Sequence, residues 1–134
     1  MKRLHMLLVP VVAALTLATI PYQVANAQQP SIKRTGVLDT DMAGMEGKQA
    51  HMWIADVAPG AETGKHTHPT PRFVYVMEGS VTLEIEGQPA RTFQVGEGFQ
   101  EMPGIVHNFK NASSVAPAKA LGFQIAEKGQ PLQE

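Results

Sequence analysis

Three histidines in the chain have the spacing of metal ligands. His66 and His68 stand one residue apart in the stretch GKHTH, and His107 follows the Pro103-Gly104 turn later in the chain. In a β-strand, residues i and i+2 point to the same face about 6.6 Å apart, so both imidazoles of the pair can aim at one point. Zinc and similar divalent ions bind histidine nitrogens at about 2.0 Å and often take another ligand from a distant strand. The spacing therefore indicates a metal site formed by His66, His68 and His107. The alternative is that the pair is solvated and His107 is a core histidine.

The segments that must position these histidines alternate like β-strands. The clearest is 80–86, where Val81, Leu83 and Ile85 alternate with polar residues. Other strand-like segments are 34–38, 50–57, 72–77, 90–95, 99–102, 106–110 and 118–126, with a loop at 39–49. Gly/Pro turns recur about every ten residues and no sustained helical period is present, which predicts an all-β sandwich or barrel.

The first residues have the pattern of an export signal. Lys2 and Arg3 precede an apolar stretch, 6–20, that leads into Ala25-Asn26-Ala27. This stretch is shorter than the ~20 residues that cross a bilayer, so we interpret residues 1–27 as a signal peptide cleaved after Ala27. The prediction is a periplasmic or secreted protein with a flexible leader at 28–33, a single domain at 34–134, and no membrane contact after cleavage.

Composition excludes several classes of function. The chain has no cysteine, so disulfides and thiol chemistry are excluded, and stability must come from packing or a bound metal. The net charge is −1, and it becomes about −3 without the signal peptide, which disfavours nucleic acid as a partner. No nucleophile elbow, phosphate loop or dinucleotide fingerprint is present, and no catalytic residue can be assigned.

The motifs around the histidines resemble those of the cupins. Gly60, the His66/His68 pair and the run 75–79 are similar to the first cupin motif, in which two histidines and a glutamate precede a strand that ends in glycine. Gly96 through Pro103-Gly104, then His107 and Asn111, resemble the second motif, whose histidine is the remaining metal ligand. The resemblance implies an antiparallel jelly-roll barrel, commonly a homodimer. It also implies one divalent transition metal (Fe, Mn, Ni, Cu or Zn) in the barrel mouth.

Arg72 breaks this resemblance, because it occupies the position of the first motif's glutamate ligand. Its guanidinium stays protonated and has no lone pair to give, so only the three histidines are left as ligands. One alternative is that they hold a metal with open positions, and an inward Arg72 then attracts an anionic substrate. The other is that metal binding has ended and the cavity binds an organic ligand. A buried Arg72 needs a carboxylate, and Glu101 is the candidate to pair with it or to supply the missing ligand. An outward-facing, solvated Glu101 is the commoner arrangement.

Two functions from different classes follow from the resemblance. One is a metal-dependent oxygenase similar to the quercetin dioxygenase-like cupins, acting on a small anionic or oxygen-bearing molecule that Arg72 orients. The other is a non-catalytic binding protein for a metal ion or small organic ligand. The fold alone does not separate them, because one fold hosts many functions.

Overall fold

The computed structural model describes residues 31–133. The predicted signal peptide, its cleavage site and residues 28–30 of the leader lie outside this range. Within this range the regular elements are all β-strands, and all strand pairs are antiparallel. This confirms the predicted all-β jelly-roll barrel. Residues 31–133 include no helix of the length and apolarity needed to cross a bilayer.

Eight strands make up the described structure. They are β1 (Ile32–Asp41), β2 (Lys48–Val57), β3 (Arg72–Glu78), β4 (Ser80–Ile85), β5 (Arg91–Gln94), β6 (Gly98–Glu101), β7 (His107–Asn111) and β8 (Ala118–Glu127). Strand β1 begins two residues before the predicted start of the domain, because Ile32 pairs with Val57. The predicted loop at 39–49 is also shorter, because pairing continues as far as Asp41 and Gln49.

The strands form two sheets that enclose the core. One has the order β1-β2-β8-β3-β6 and the other has the order β5-β4-β7. Strand β8 shows how the sequence builds this arrangement, because its residues alternate strictly between buried and half-buried positions. Small buried residues there leave room for the larger core side chains of both sheets. These include Val57, Val74, Val76, Val81, Leu83, Phe93 and Phe109.

A polar row crosses the five-stranded sheet near one end. Residues directly opposite one another in the strand register share a face, and the register joins five polar residues from β1 to β6. In sheet order they are Asp39, His51, Gln124, Arg72 and Glu101. The adjacent row carries Gly36, Trp53, Gly122, Val74 and Phe99. The polar row therefore brings Arg72 and Glu101 to the same face.

Candidate metal centre

The three histidines meet inside the barrel. The backbones of His66 and His107 exchange hydrogen bonds of 3.0 and 3.1 Å, which places the segment before β3 beside the start of β7. Ring centroids lie 4.4 Å apart for His66 and His107, 4.9 Å apart for His68 and His107, and 6.2 Å apart for His66 and His68. All three side chains are buried. The structure thus places His107 between the two other histidines, with the His66 and His68 rings farther from each other.

Each imidazole is held through its Nδ1 atom. The Nδ1 atoms of His66, His68 and His107 lie 3.0, 2.7 and 2.7 Å from the backbone carbonyls of Gly64, Thr70 and Ile105. A carbonyl can only accept, so each Nδ1 carries the hydrogen and donates it. In a neutral imidazole the Nε2 atom then presents a lone pair, which is the arrangement found in histidines that bind metals.

Glu101 faces these Nε2 atoms, so the expectation of an outward, solvated side chain is wrong. The residue is only 3% exposed, and its Oε2 lies 3.2 Å from His68 Nε2 and 3.5 Å from His107 Nε2. Burial alone would raise the pKa of Glu101, but contacts with His107 and His68 and the charge of Arg72 lower it to about 2. Glu101 is therefore an ionised carboxylate that can only accept.

A cation among these acceptor atoms would satisfy them together. His66 Nε2 and His107 Nε2 are buried and have no hydrogen-bond partner among the described residues. Burial lowers the pKa of His66. For His107, burial also lowers the pKa, but the contacts with Glu101 and with the Ile105 carbonyl together outweigh it and raise the pKa. One proton on His107 would satisfy its contact with Glu101 and leave His66 Nε2 unpaired.

The distances fit a metal ion. Two ligand atoms bound at about 2.1 Å, at tetrahedral or octahedral angles, lie about 3.0–3.4 Å apart, close to the spacings around Glu101 Oε2. Donor atoms of His68, Glu101 and His107 all lie within 4.8 Å of one another, whereas His66 falls outside this group and its ring lies beside His107. The chemistry of this donor set, imidazole and carboxylate, suits divalent transition metals.

Arg72 also faces the interior. Its Nη1 lies 3.6 Å from Glu101 Oε2, while Nε and Nη2 donate to Gln124 Oε1 at 3.2 and 3.1 Å. Nη2 also donates to the Leu132 carbonyl at 2.9 Å, and the guanidinium stacks on Trp53 at 5.0 Å. Burial lowers the pKa of Arg72 and Glu101 opposes that shift, so the group remains a cation.

Sequence reasoning missed Gln124, which holds the guanidinium in place. Its amide also donates to Thr70 Oγ1 at 2.9 Å, so it links β8 to the histidine segment. The signal was present in the sequence. Gln124 is the polar residue at an inward position of β8, where the other inward residues are alanine or glycine.

Residues 53–123 match the sequence model of the cupin domain. The chain belongs to the cupin family. Within this cupin, the carboxylate at the centre comes from β6, on the strand that pairs with the one carrying Arg72. No curated protein matches the chain.

Solved cupin structures share the fold. A cupin domain from Bordetella pertussis Tohama I is 24% identical, with a TM-score of 0.57, and the match covers 72% of this chain and 95% of that one. The cupin domain of an XRE family transcriptional regulator from Enterobacter cloacae is 21% identical, with a TM-score of 0.57 and coverages of 69% and 94%. A DMSP lyase from Ruegeria pomeroyi DSS-3 is 18% identical, with a TM-score of 0.54, and the match covers 61% of this chain and 41% of that one. These likenesses show the fold alone.

Proposed function

We propose that this cupin binds one divalent transition metal ion through His66, His68, His107 and Glu101, and that it acts as an oxygenase-type enzyme on a small anionic or oxygen-bearing molecule. The observation that carries the proposal is the convergence of buried Nε2 lone pairs on the ionised carboxylate of Glu101. A bound ion would supply open coordination positions for oxygen and substrate.

The electrostatics of the site favour an anionic substrate. The histidines are neutral ligands, and the single charge of Glu101 is already opposed by Arg72 at 3.6 Å. A divalent ion would leave a net positive charge in a buried site, and such a charge is costly unless an anion lies close. Arg72 would orient that anion, because Gln124 and Trp53 hold its guanidinium in one plane.

One observation favours the second candidate, a protein that binds a metal ion without turnover. The cavity that Arg72 and Glu101 line together has a volume of only about 20 Å³. That volume corresponds to about one water molecule. If no larger ligand reaches the ion, the protein stores or delivers the metal.

Oxygen uptake separates the two candidates. Protein of measured metal content is mixed with phenols, diketones and thiols in an oxygen electrode, with His68→Ala as the metal-deficient control. Consumption that requires both substrate and wild-type protein is the expected result. Metal-loaded protein that consumes no oxygen with any of these compounds would support the binding protein and refute the oxygenase.

Export and dimerisation belong to the same proposal. The pattern of residues 1–27 supports export, and mass spectrometry of a periplasmic fraction should find Gln28 at the amino terminus.

The outer face of β3 supports a homodimer, because Phe73 and Tyr75 are 47% and 48% exposed and the Phe73 ring lies 6.3 Å from the Phe123 ring. Analytical ultracentrifugation should show a dimer for the wild type and a monomer for Tyr75→Glu. A monomeric wild type would refute the proposed homodimer.

A further inference from the structure

A cleft of about 270 Å³ opens beside the candidate metal centre, bordered by β1, β2 and the C-terminal residues Leu132 and Gln133. Arg34, Trp53 and Arg72 line it, and the same three residues line the smaller cavity that reaches Glu101. One indole and two guanidinium groups therefore lie between the cleft and the cavity next to the metal centre.

Arg72 keeps a donor for a ligand in this cleft. Its Nε and Nη2 atoms are occupied by Gln124 and Leu132. Nη1 faces Glu101 at 3.6 Å, which is longer than an ordinary hydrogen bond. A guanidinium has five N–H donors, so its Nη1 edge can serve a further acceptor. Stacking on Trp53 fixes the direction of that edge.

Arg34 supplies a second positive charge. It lies opposite Ala55 in the register of β1 and β2, and Ala55 is buried, so the Arg34 side chain lies on the inner face of the sheet. Within residues 31–133, no carboxylate forms an ion pair with Arg34. The acid of the cleft, Asp39, is engaged by His51 at 2.6 Å. Arg34 is exposed, and the charge of Glu101 acts on it from beyond ion-pair distance, so the guanidinium has no direct partner among the described residues and can meet a ligand.

We propose that this cleft binds a small organic carboxylate, held between the guanidinium groups of Arg34 and Arg72, with its carbon skeleton against Trp53. Guanidinium groups match the geometry of a carboxylate, and the indole offers an apolar face. At about 270 Å³ the cleft lies just below the usual range of small-molecule sites, so it suits a small ligand. The inference names the substrate class of the proposed enzyme, and it rests on that function only for the chemistry after binding.

The protein carries its own probe, because Trp53 is the only tryptophan in the chain. Its fluorescence is followed while the protein, as purified, is titrated with benzoate and separately with benzamide, a neutral compound of similar shape. We expect a saturable change with benzoate and none with benzamide. Arg34→Gln should weaken benzoate binding at least about tenfold, since it removes a charge-assisted contact, and Arg34→Lys should lie between the two.

Arg91→Gln is the matched control, because Arg91 stacks on Phe93 in β5 and does not line the cleft. It should bind benzoate like the wild type. Equal responses to benzoate and benzamide, or unchanged affinity in Arg34→Gln, would overturn the inference. Metal content is measured on the same samples. Benzoate binding by protein that takes up no metal contradicts only the proposed metal function, whereas metal binding without benzoate binding contradicts only the carboxylate site.

Discussion

Glu101 is the residue on which the site depends, because its carboxylate lies among two imidazoles and one guanidinium. It acts as counter-charge to Arg72 and as the proposed anionic ligand of the metal. The first cupin motif's glutamate is missing from β3, and the cross-strand partner of Arg72 on β6 carries a carboxylate in its place.

Glu101→Gln should therefore lower metal affinity at least tenfold. Mutating a residue that only hydrogen-bonds to a metal ligand already lowers metal affinity about 10- to 100-fold, and this change removes the proposed ligand itself. It should also destabilise the fold by roughly 3–5 kcal/mol, since a buried Arg72 loses its counter-ion. A competition titration with a chromophoric chelator measures affinity, and urea unfolding measures stability. Glu86→Gln, at an exposed position, is the control and should change neither. Wild-type affinity in Glu101→Gln would remove Glu101 from the site.

Arg72→Glu should have the opposite effect on affinity. It removes a positive charge and adds a second carboxylate directly opposite Glu101. Unit charges about 4 Å apart interact by about 4 kcal/mol at an effective dielectric near 20, which corresponds to two or more orders of magnitude in affinity. Without metal, the paired carboxylates should repel and destabilise the protein.

Titration calorimetry compares wild type, Arg72→Glu and Arg72→Gln, and the last variant should lie between the other two because it removes the charge without adding a ligand. A change in metal affinity of less than about fivefold is what the substitution of an exposed charge would produce. That outcome would mean that Arg72 does not act on the ion.

At the scale of residues, local spacing was enough to select His66 and His68, whereas His107 and Arg72 were selected by their places in the two motifs. The sequence could not fix the direction of Glu101. That direction depends on which residue of β3 lies opposite it, and a strand register is a long-range property.

Among the strands, β2 and β8 control how Arg72 is presented. Trp53 lies opposite Gly122, and a Cβ atom at Gly122 would come within 2.3 Å of the indole ring. The absent side chain therefore makes the space in which Trp53 lies flat and stacks on Arg72. Gly122 therefore allows Trp53 to pack against β8 and to stack on Arg72.

Gly122→Ala should displace the indole and destabilise the protein by about 1–3 kcal/mol, the usual effect of overpacking. The Trp53 fluorescence should shift at the same time, because its surroundings change. Gly36→Ala is the matched strand control, since its Cβ would meet only the Asp39 carboxylate at 3.6 Å. Equal stability of both variants would show that the contact between Trp53 and Gly122 carries no packing role.

The strands themselves were largely predictable, because alternation and Gly/Pro turns are local signals. The paired ends of β1 and β2 were not, since polar residues such as Asp39 and Asp41 read as loop. Their pairing with His51 and Gln49 extends the strands despite their low β-propensity.

For the whole molecule, the metal should act as a structural ligand. A chain without cysteine has no disulfide to stabilise it, and an ion that binds only the folded state adds about 2.7 kcal/mol when present at 100 times its Kd. In a domain of this size, that raises Tm by roughly 10–20 °C. Scanning calorimetry with and without metal should show the shift, and His107→Ala should not show it. Identical Tm values for the wild type under both conditions would contradict metal binding to the folded state.

Metal content is the most direct test of the four-donor site. Elemental analysis is performed on protein purified without a polyhistidine tag, and then again after incubation with divalent metals and removal of the excess. We expect about one ion per wild-type chain and little or none in His68→Ala and His107→Ala, with the fold of both variants retained. A wild-type protein that holds no metal even after loading, or histidine variants that hold a full equivalent, would contradict the four-donor site.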